Sequence, residues 1–403
     1  MEAWHKPISS YFASQMKGLH GKHFQPSTHG MRMPRLVFLL LSFFSLTLSA
    51  QLPQKDFYFR HLNTAQGMSY AAISDMLKDK EGFLWVGTFS GLNCFDGSHF
   101  RVWKANPGDT NALPNNVIES LCEDKDGNIW CATDAGVSRF DRKNFKNYPL
   151  VIQRNGTEVI TLPFEILYTQ TNEIIASTRH GIFIYDPHQD KFNQYTGKKD
   201  EGARITGYIY KNAFVEDTLN HGIWIGSEAG MRFFDLRSRV CYSDSYNPGQ
   251  LPAMNSHVIS TLAMDKHNRL VYYDVTENNI VTYDTKTNTL SKQSTSSWGI
   301  GSAYFATIFI DNDDNKWIST WQNKSYFIEA ASGEVFELVH QIENNYSIST
   351  GFFWDAMQDK DGTLYIGSIN GISYTNVSEN YFSIHRLPAG IHHTTQYFAP
   401  LAL

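Results

Sequence analysis

The stretch EDKDGNIWCATDAGVSRFD at residues 123–141 carries the densest set of residues able to do chemistry. Asp124, Asp126 and Gly127 have the form of the start of a calcium loop, in which alternating carboxylates supply oxygen ligands and a glycine makes the sharp turn. The bidentate glutamate that completes such a loop is missing downstream, and Trp130 falls in the strand that follows. Asp-Lys-Asp-Gly also suits a hairpin turn, because carboxylates accept turn N–H groups and glycine takes positive φ. Turn chemistry is therefore expected here and at Asp311, Asp313 and Asp314, and no metal site is expected.

Catalytic signatures are sparse. The chain has no Gly-x-Ser-x-Gly nucleophile elbow, no arginine triad and no histidine cluster at metal-binding spacing; His392 and His393 lie near the end of the chain. Cys94, Cys122, Cys131 and Cys241 are irregularly spaced, without a Cys-x-x-Cys pair, so zinc has no ligand set and buried single thiols are favoured over bridges. The formal charge of −6, with no run of Lys or Arg in the body of the chain, leaves no footprint for a phosphate backbone. Nucleic acid is not an expected partner, and no cofactor is implied.

What must position these residues is a repeat. The opening stretch recurs as KDKEGFLWVGTFSGLNCFD (78–96), NEIIASTRHGIFIYD (172–186), HGIWIGSEAGMRFFD (221–235) and QDKDGTLYIGSINGISYTN (358–376), and in weaker form at 267–284 and 312–328. Aligning on the tryptophan gives Trp85, Trp130, Ile175, Trp224, Val271, Trp317 and Tyr365, at intervals of 45, 45, 49, 47, 46 and 48 residues. Each unit reads as four short strands; in the second they are 117–123, 128–133, 136–141 and 145–149. Aromatic content of 14% suits strands, and no long segment has helical period. Units of this length describe an all-β fold, a seven-bladed β-propeller of four-stranded antiparallel blades. Closing the ring removes exposed sheet edges, and FYFRHL (57–62) is favoured over YFSIHRL (381–387) as the strand that completes the last blade.

The repeated positions are scaffold: tryptophans that fill the space between blades, the small pairs Gly87-Thr88, Ala132-Thr133 and Gly226-Ser227, and turn-exit glycines such as Gly136. The repeated pattern resembles the two-component regulator propeller repeat, best at 79–96 and 124–141, well at 223–235 and 359–376, and weakly in units five and six. FRHLNTAQGMSYAAISDMLKDKEGFLWVGT resembles the start of such sensor domains. The resemblance covers 57 to about 387 and implies a periplasmic sensor propeller of hybrid histidine kinases that detect glycan breakdown products and regulate polysaccharide use. It extends to the first propeller alone, so the chain is read as a truncated or fragmentary member, without the kinase and regulator domains that the family carries.

The N-terminus fits export. Arg32 and Arg35 precede an apolar run from Leu36 to Leu48, the pattern of a signal peptide or uncleaved anchor over 31–50. Residues 1–30 then read as an unstructured extension or a miscalled start, the propeller as 57–387, and 388–403 as a tail.

Candidate site residues are those that vary on the repeated frame. Turns between second and third strands share a propeller face with the connections between blades. That face is expected to carry Phe89, Asp134, Arg179, His180, Glu228, Trp321 and Asn370 from the turns, with Asn115, Asn116, Asn255 and His257 from the connections; Trp298 is a further candidate. Trp321 and Trp298 suit stacking on a sugar ring, and Arg179 with His180 suits a uronate or sulfate. An oligosaccharide ligand is the leading expectation. A protein-interaction ring, docking a second propeller or a dimer mate, is the alternative, and a carbohydrate-active lyase or hydrolase is a third.

Overall fold

The computed structural model describes residues 52, 55, 57–197, 209–301 and 303–377. The leader-like segment 31–50, the tail 388–403 and the strand proposed at 381–387 lie outside them. Seven four-stranded antiparallel sheets follow one another as blades 1 to 7, over 73–103, 118–148, 163–194, 209–242, 259–294, 305–338 and 353–376. In each, the strands lie side by side in chain order from the innermost outward. Blade 7 takes its fourth strand from the N-terminus: Arg60–Leu62 pairs antiparallel with Gly371–Asn376, as the sequence led one to expect. Phe57 and Phe59, just before it, pack in the core between blades 6 and 7, with the Phe57 ring 4.9 Å from that of Trp317.

Hydrophobic burial is divided among seven cores, one at each junction of adjacent blades. The repeated tryptophans sit in these wedges: Trp85, Trp130, Trp224 and Trp317 are all at most 2% exposed. Burying a side chain of this size contributes roughly 2–3 kcal/mol. The small residue two places after each of these tryptophans allows close blade contact. A Cβ on Gly87 would stand 2.8 Å from the side chain of Ile118, the first residue of blade 2, so the tight approach is to the next blade. At the turn exit, Gly136 has φ +114 and an added Cβ would meet the Tyr148 carbonyl at 2.4 Å, which excludes any other residue without rearrangement.

The acidic turns are built as hairpin chemistry predicts, with one addition. Asp124 accepts the N–H groups of Asp126 and Asn128 on one oxygen, at 3.0 and 2.9 Å. Its other oxygen accepts the Trp130 indole N–H at 2.8 Å. The same bond joins Asp79 to Trp85, Asp217 to Trp224 and Asp311 to Trp317, at 2.7, 3.0 and 2.9 Å. The turn carboxylate thus satisfies the polar atom of the blade's largest core side chain. In blade 5, where Val271 replaces the tryptophan, Arg269 Nε takes that oxygen of Asp265.

Two features depart from the repeat. A hairpin of Leu150–Arg154 and Thr157–Thr161 is inserted between blades 2 and 3, burying Leu150 and Ile152 while exposing Val159 and Ile160. The innermost strand of blade 4 carries an enlarged bulge, described below. The four cysteines are free thiols; Cys122, Cys131 and Cys241 are buried.

Candidate functional site

The turns between second and third strands share one face with the connections between blades, and backbone bonds tie the two together. Gly91 N–H donates to Asn116 O at 2.7 Å, and Trp321 N–H to Tyr304 O at 3.0 Å. This face therefore gathers Phe89, Asp134, Arg179, His180, Glu228, Trp321 and Asn370 around the channel mouth, from blades 1, 2, 3, 4, 6 and 7. They ring the mouth and do not converge on one point. His257 is exposed on the connection into blade 5. Trp298 ends a short 3-10 helix, Thr295–Trp298, and packs part of its ring on the core between blades 5 and 6, leaving less of it for a ligand than its sequence position suggests.

Two parts of this rim have local structure. Trp321, 42% exposed, stands 5.5 Å from the Phe352 ring and 5.0 Å, edge to face, from Trp354. Phe352 and Trp354 lead into blade 7, so an aromatic cluster bridges blades 6 and 7 at the mouth. On blade 3, His180 Nδ1 lies 2.9 Å from Thr161 Oγ1 of the inserted hairpin, and its carbonyl accepts from Gln194 Nε2 at 2.8 Å. Burial lowers the His180 pKa, and the nearby charges of Arg179 and Arg154 lower it further. A neutral imidazole between two guanidinium groups makes this sector cationic without His180 itself being charged near neutral pH.

Below the mouth lies a polar ring that the sequence reading missed. In every blade the innermost strand bulges near its start, and in five junctions a side chain of that strand satisfies a backbone N–H of the next blade. Asp75 accepts from Leu121 at 2.6 Å, Ser120 from Ile166 at 3.2 Å, Thr261 from Ile308 at 3.1 Å and Asp355 from Met76 at 2.9 Å, while Glu165 accepts from Asn212. The Asp355 bond joins the last blade to the first. Asp75, Glu165 and Asp355 keep a fraction of their surface open to the channel, yet protein surrounds them. Burial pushes the Glu119 carboxyl up to about 7 and that of Glu165 to about 8, and raises Asp75 and Asp355 as well. Lys211 opposes each of these shifts, and Asp134 on the rim adds to that of Glu119. No group of three or more His, Cys, Asp or Glu among the described residues is placed to hold a metal ion.

A sequence signal for the ring existed. A polar residue stands four places before the turn position in six units, as in Asp75 before Asp79 and Asp355 before Asp359, but the alternation of an inner strand disguises it as solvent-facing.

Comparison with known proteins places this architecture. The family model described as two component regulator propeller matches residues 67–90 and 112–135. Over 75 residues the chain is 39% identical to histidine kinase P4 of Formosa agariphila, a stretch covering 19% of this chain and 5% of that protein. The extracellular domains of the hybrid two component systems BT3049 and BT4673 of B. thetaiotaomicron superpose with TM-scores of 0.61 each, at 20% and 19% identity. These matches cover 79% and 80% of this chain and 42% and 43% of theirs, so the chain spans less than half the length of those relatives. A virginiamycin B lyase from Staphylococcus aureus is similar in fold as well, with TM-score 0.55 and 12% identity over 80% of this chain and 100% of that one. Seven blades, the first two of which carry the matched two component regulator propeller repeats, give the described residues the fold found in extracellular domains of hybrid two component systems.

Proposed function

We propose that this propeller is an extracytoplasmic sensing module that binds an oligosaccharide on the face formed by the turns between second and third strands. The observation that carries the reading is the contrast between a frame of Asp, Trp and Gly repeated from blade to blade and a rim where each blade presents a different side chain. Trp321 with Phe352 and Trp354 offers a stacking surface to a pyranose ring, and the Arg154, Arg179 and His180 sector suits a uronate or sulfate. Blades 3 and 6 lie on opposite sides of the mouth, so a ligand touching both spans several sugar units. Its role is binding and not catalysis, with signalling chemistry residing in domains of the relatives that this chain does not match. The export-like segment 31–50 supports a periplasmic location.

A protein-interaction role is the second reading, favoured by the exposed apolar side chains of Val159, Ile160 and Leu162 on and beside the inserted hairpin. Screening the purified full chain on an oligosaccharide array, with mass measured in solution, separates the two. Array binding that is weakened at least tenfold by Trp321→Ala supports the first. A stable dimer with no array binding supports the second and overturns the first.

A further inference from the structure

Blade 4 breaks the polar ring in an informative way. Six blades place Asp75, Ser120, Glu165, Thr261, Thr307 and Asp355 four residues before the turn position, whereas blade 4 has Ala213 before Asp217. Its bulge is also larger. In blade 1, pairing passes from Ile73 with Thr88 to Met76 with Val86, three residues against two. In blade 4 it passes from Ile209 with Ser227 to Phe214 with Ile225, five against two, so two residues are inserted.

The insertion crosses the channel. Lys211 Nζ donates to the Glu119 carbonyl of blade 2. Asn212, held at φ +60, donates its backbone N–H to the Glu165 carboxylate of blade 3. Its amide Nδ2 donates to Thr307 Oγ1 of blade 6 at 2.9 Å and to the Trp354 carbonyl of blade 7 at 2.6 Å. Blade 4 adjoins only blades 3 and 5 in the ring, so the contacts to blades 2, 6 and 7 pass through its centre. They lie at the start of the innermost strands, directly beneath the rim.

The geometry points to residues 210–213 as a plug that closes the central channel under the ligand face and braces the ring across its diameter, with Lys211 as counter-charge to the surrounding carboxyl groups. The groups facing Lys211 are Asp75 from blade 1, Glu119 from blade 2, Glu165 from blade 3 and Asp355 from blade 7, with Asp134 at the rim above Glu119. Blades 5 and 6 present Thr261 and Thr307 at this level, which do not titrate. Four carboxyl groups against one ammonium cannot all ionise favourably, so the plug region retains protons into the neutral range. A carboxyl group whose pKa is raised by folding contributes stability below its ordinary pKa and loses it as pH rises through the raised value. The braced ring therefore weakens between about pH 5 and about pH 8.5, and Lys211 limits the loss.

Thermal unfolding of the full chain at about pH 5 and about pH 8.5 tests this. Wild type is expected to melt lower at the higher pH. Lys211→Met widens the gap by removing the cation that faces the carboxyl groups, and Glu165→Gln narrows it. Asn212→Ala lowers the midpoint by roughly 4 °C at both pH values, because its lost bonds to blades 6 and 7 do not titrate. Should Lys211→Met fail to fold, the other two variants still decide. A gap unaltered by Glu165→Gln, or an Asn212→Ala variant that melts as wild type does, overturns the plug. The readout needs no ligand, so its failure leaves the oligosaccharide reading untouched.

Discussion

Removing the carboxylate of Asp311 isolates the device that joins turn to core. Asp311 is 3% exposed and accepts from Asp313 N, Asn315 N, Asn315 Nδ2 and Trp317 Nε1, all at 2.9 or 3.0 Å. Asp311→Ala leaves the Trp317 indole and the Asn315 amide as donors in a site that water does not reach, since Trp317 is fully buried and Asn315 is 8% exposed. An orphaned buried donor costs about 1–3 kcal/mol, and the lost bonds to turn N–H groups add to it, for a total of roughly 3–5 kcal/mol. Urea unfolding of the full chain, followed by tryptophan fluorescence, is the assay. Trp317→Phe alone is expected to cost about 1–2 kcal/mol, and the double variant about 1–2 kcal/mol less than the sum, because the indole can be orphaned only once. Asp265→Ala is the control: its partner Arg269 is more than a third exposed, so water replaces the lost bond and the cost stays near 1 kcal/mol. Strict additivity of Asp311→Ala and Trp317→Phe, or equal losses at Asp265 and Asp311, refutes the reasoning.

Three further outcomes follow from the frame. Gly136→Ala forces a Cβ to within 2.4 Å of the Tyr148 carbonyl at positive φ and is expected to cost about 2–3 kcal/mol in the same unfolding assay, against under 1 kcal/mol for Ala at exposed Gly301, whose φ is not positive and where nothing lies within 4 Å. At Asp79, burial opposes ionisation, but hydrogen bonds from Trp85 and from Arg142, whose Nη1 is 2.8 Å away, hold the carboxyl below its ordinary pKa. Its contribution is present above about pH 4 and lost as pH falls below that; Arg142→Met should flatten this acid limb in a pH series of melting curves. Deleting residues through Leu62 removes the strand paired with Gly371–Asn376 and the Phe57 and Phe59 rings, and the shortened chain should aggregate or lose cooperative unfolding.

Sequence reading reached the blades because each unit had to repeat the same solution: a turn carboxylate, a wedge-filling ring and a glycine where the next connection presses close. It reached the ring closure because a lone outer-type strand ahead of the first unit has one place to pair. It did not reach the Asp–Trp bond, since a turn former and a core filler six residues apart each have a sufficient local reason to be present. Asp75, Glu165 and Asp355 were overlooked for the opposite reason. Their alternation looks solvent-facing, and only ring geometry turns that face toward a channel. The 49-residue interval before Trp224 marked the plug, but an interval alone does not say that Lys211 and Asn212 reach across to other blades. The rim residues were placed on one face by the strand order, while Phe352 and Trp354 joined Trp321 through contacts between blades that no single unit contains.

Hydrogen exchange of the full chain, with and without the best-binding oligosaccharide from the array, tests the central claim most directly. New protection is predicted at the turns around Phe89, Asp134, Arg179, Glu228, Trp321 and Asn370 and in the adjoining connections, with the acidic turns around Asp79, Asp124, Asp311 and Asp359 unchanged. Protection confined to those acidic turns, on the opposite face of the ring, or to the outer strands would contradict it.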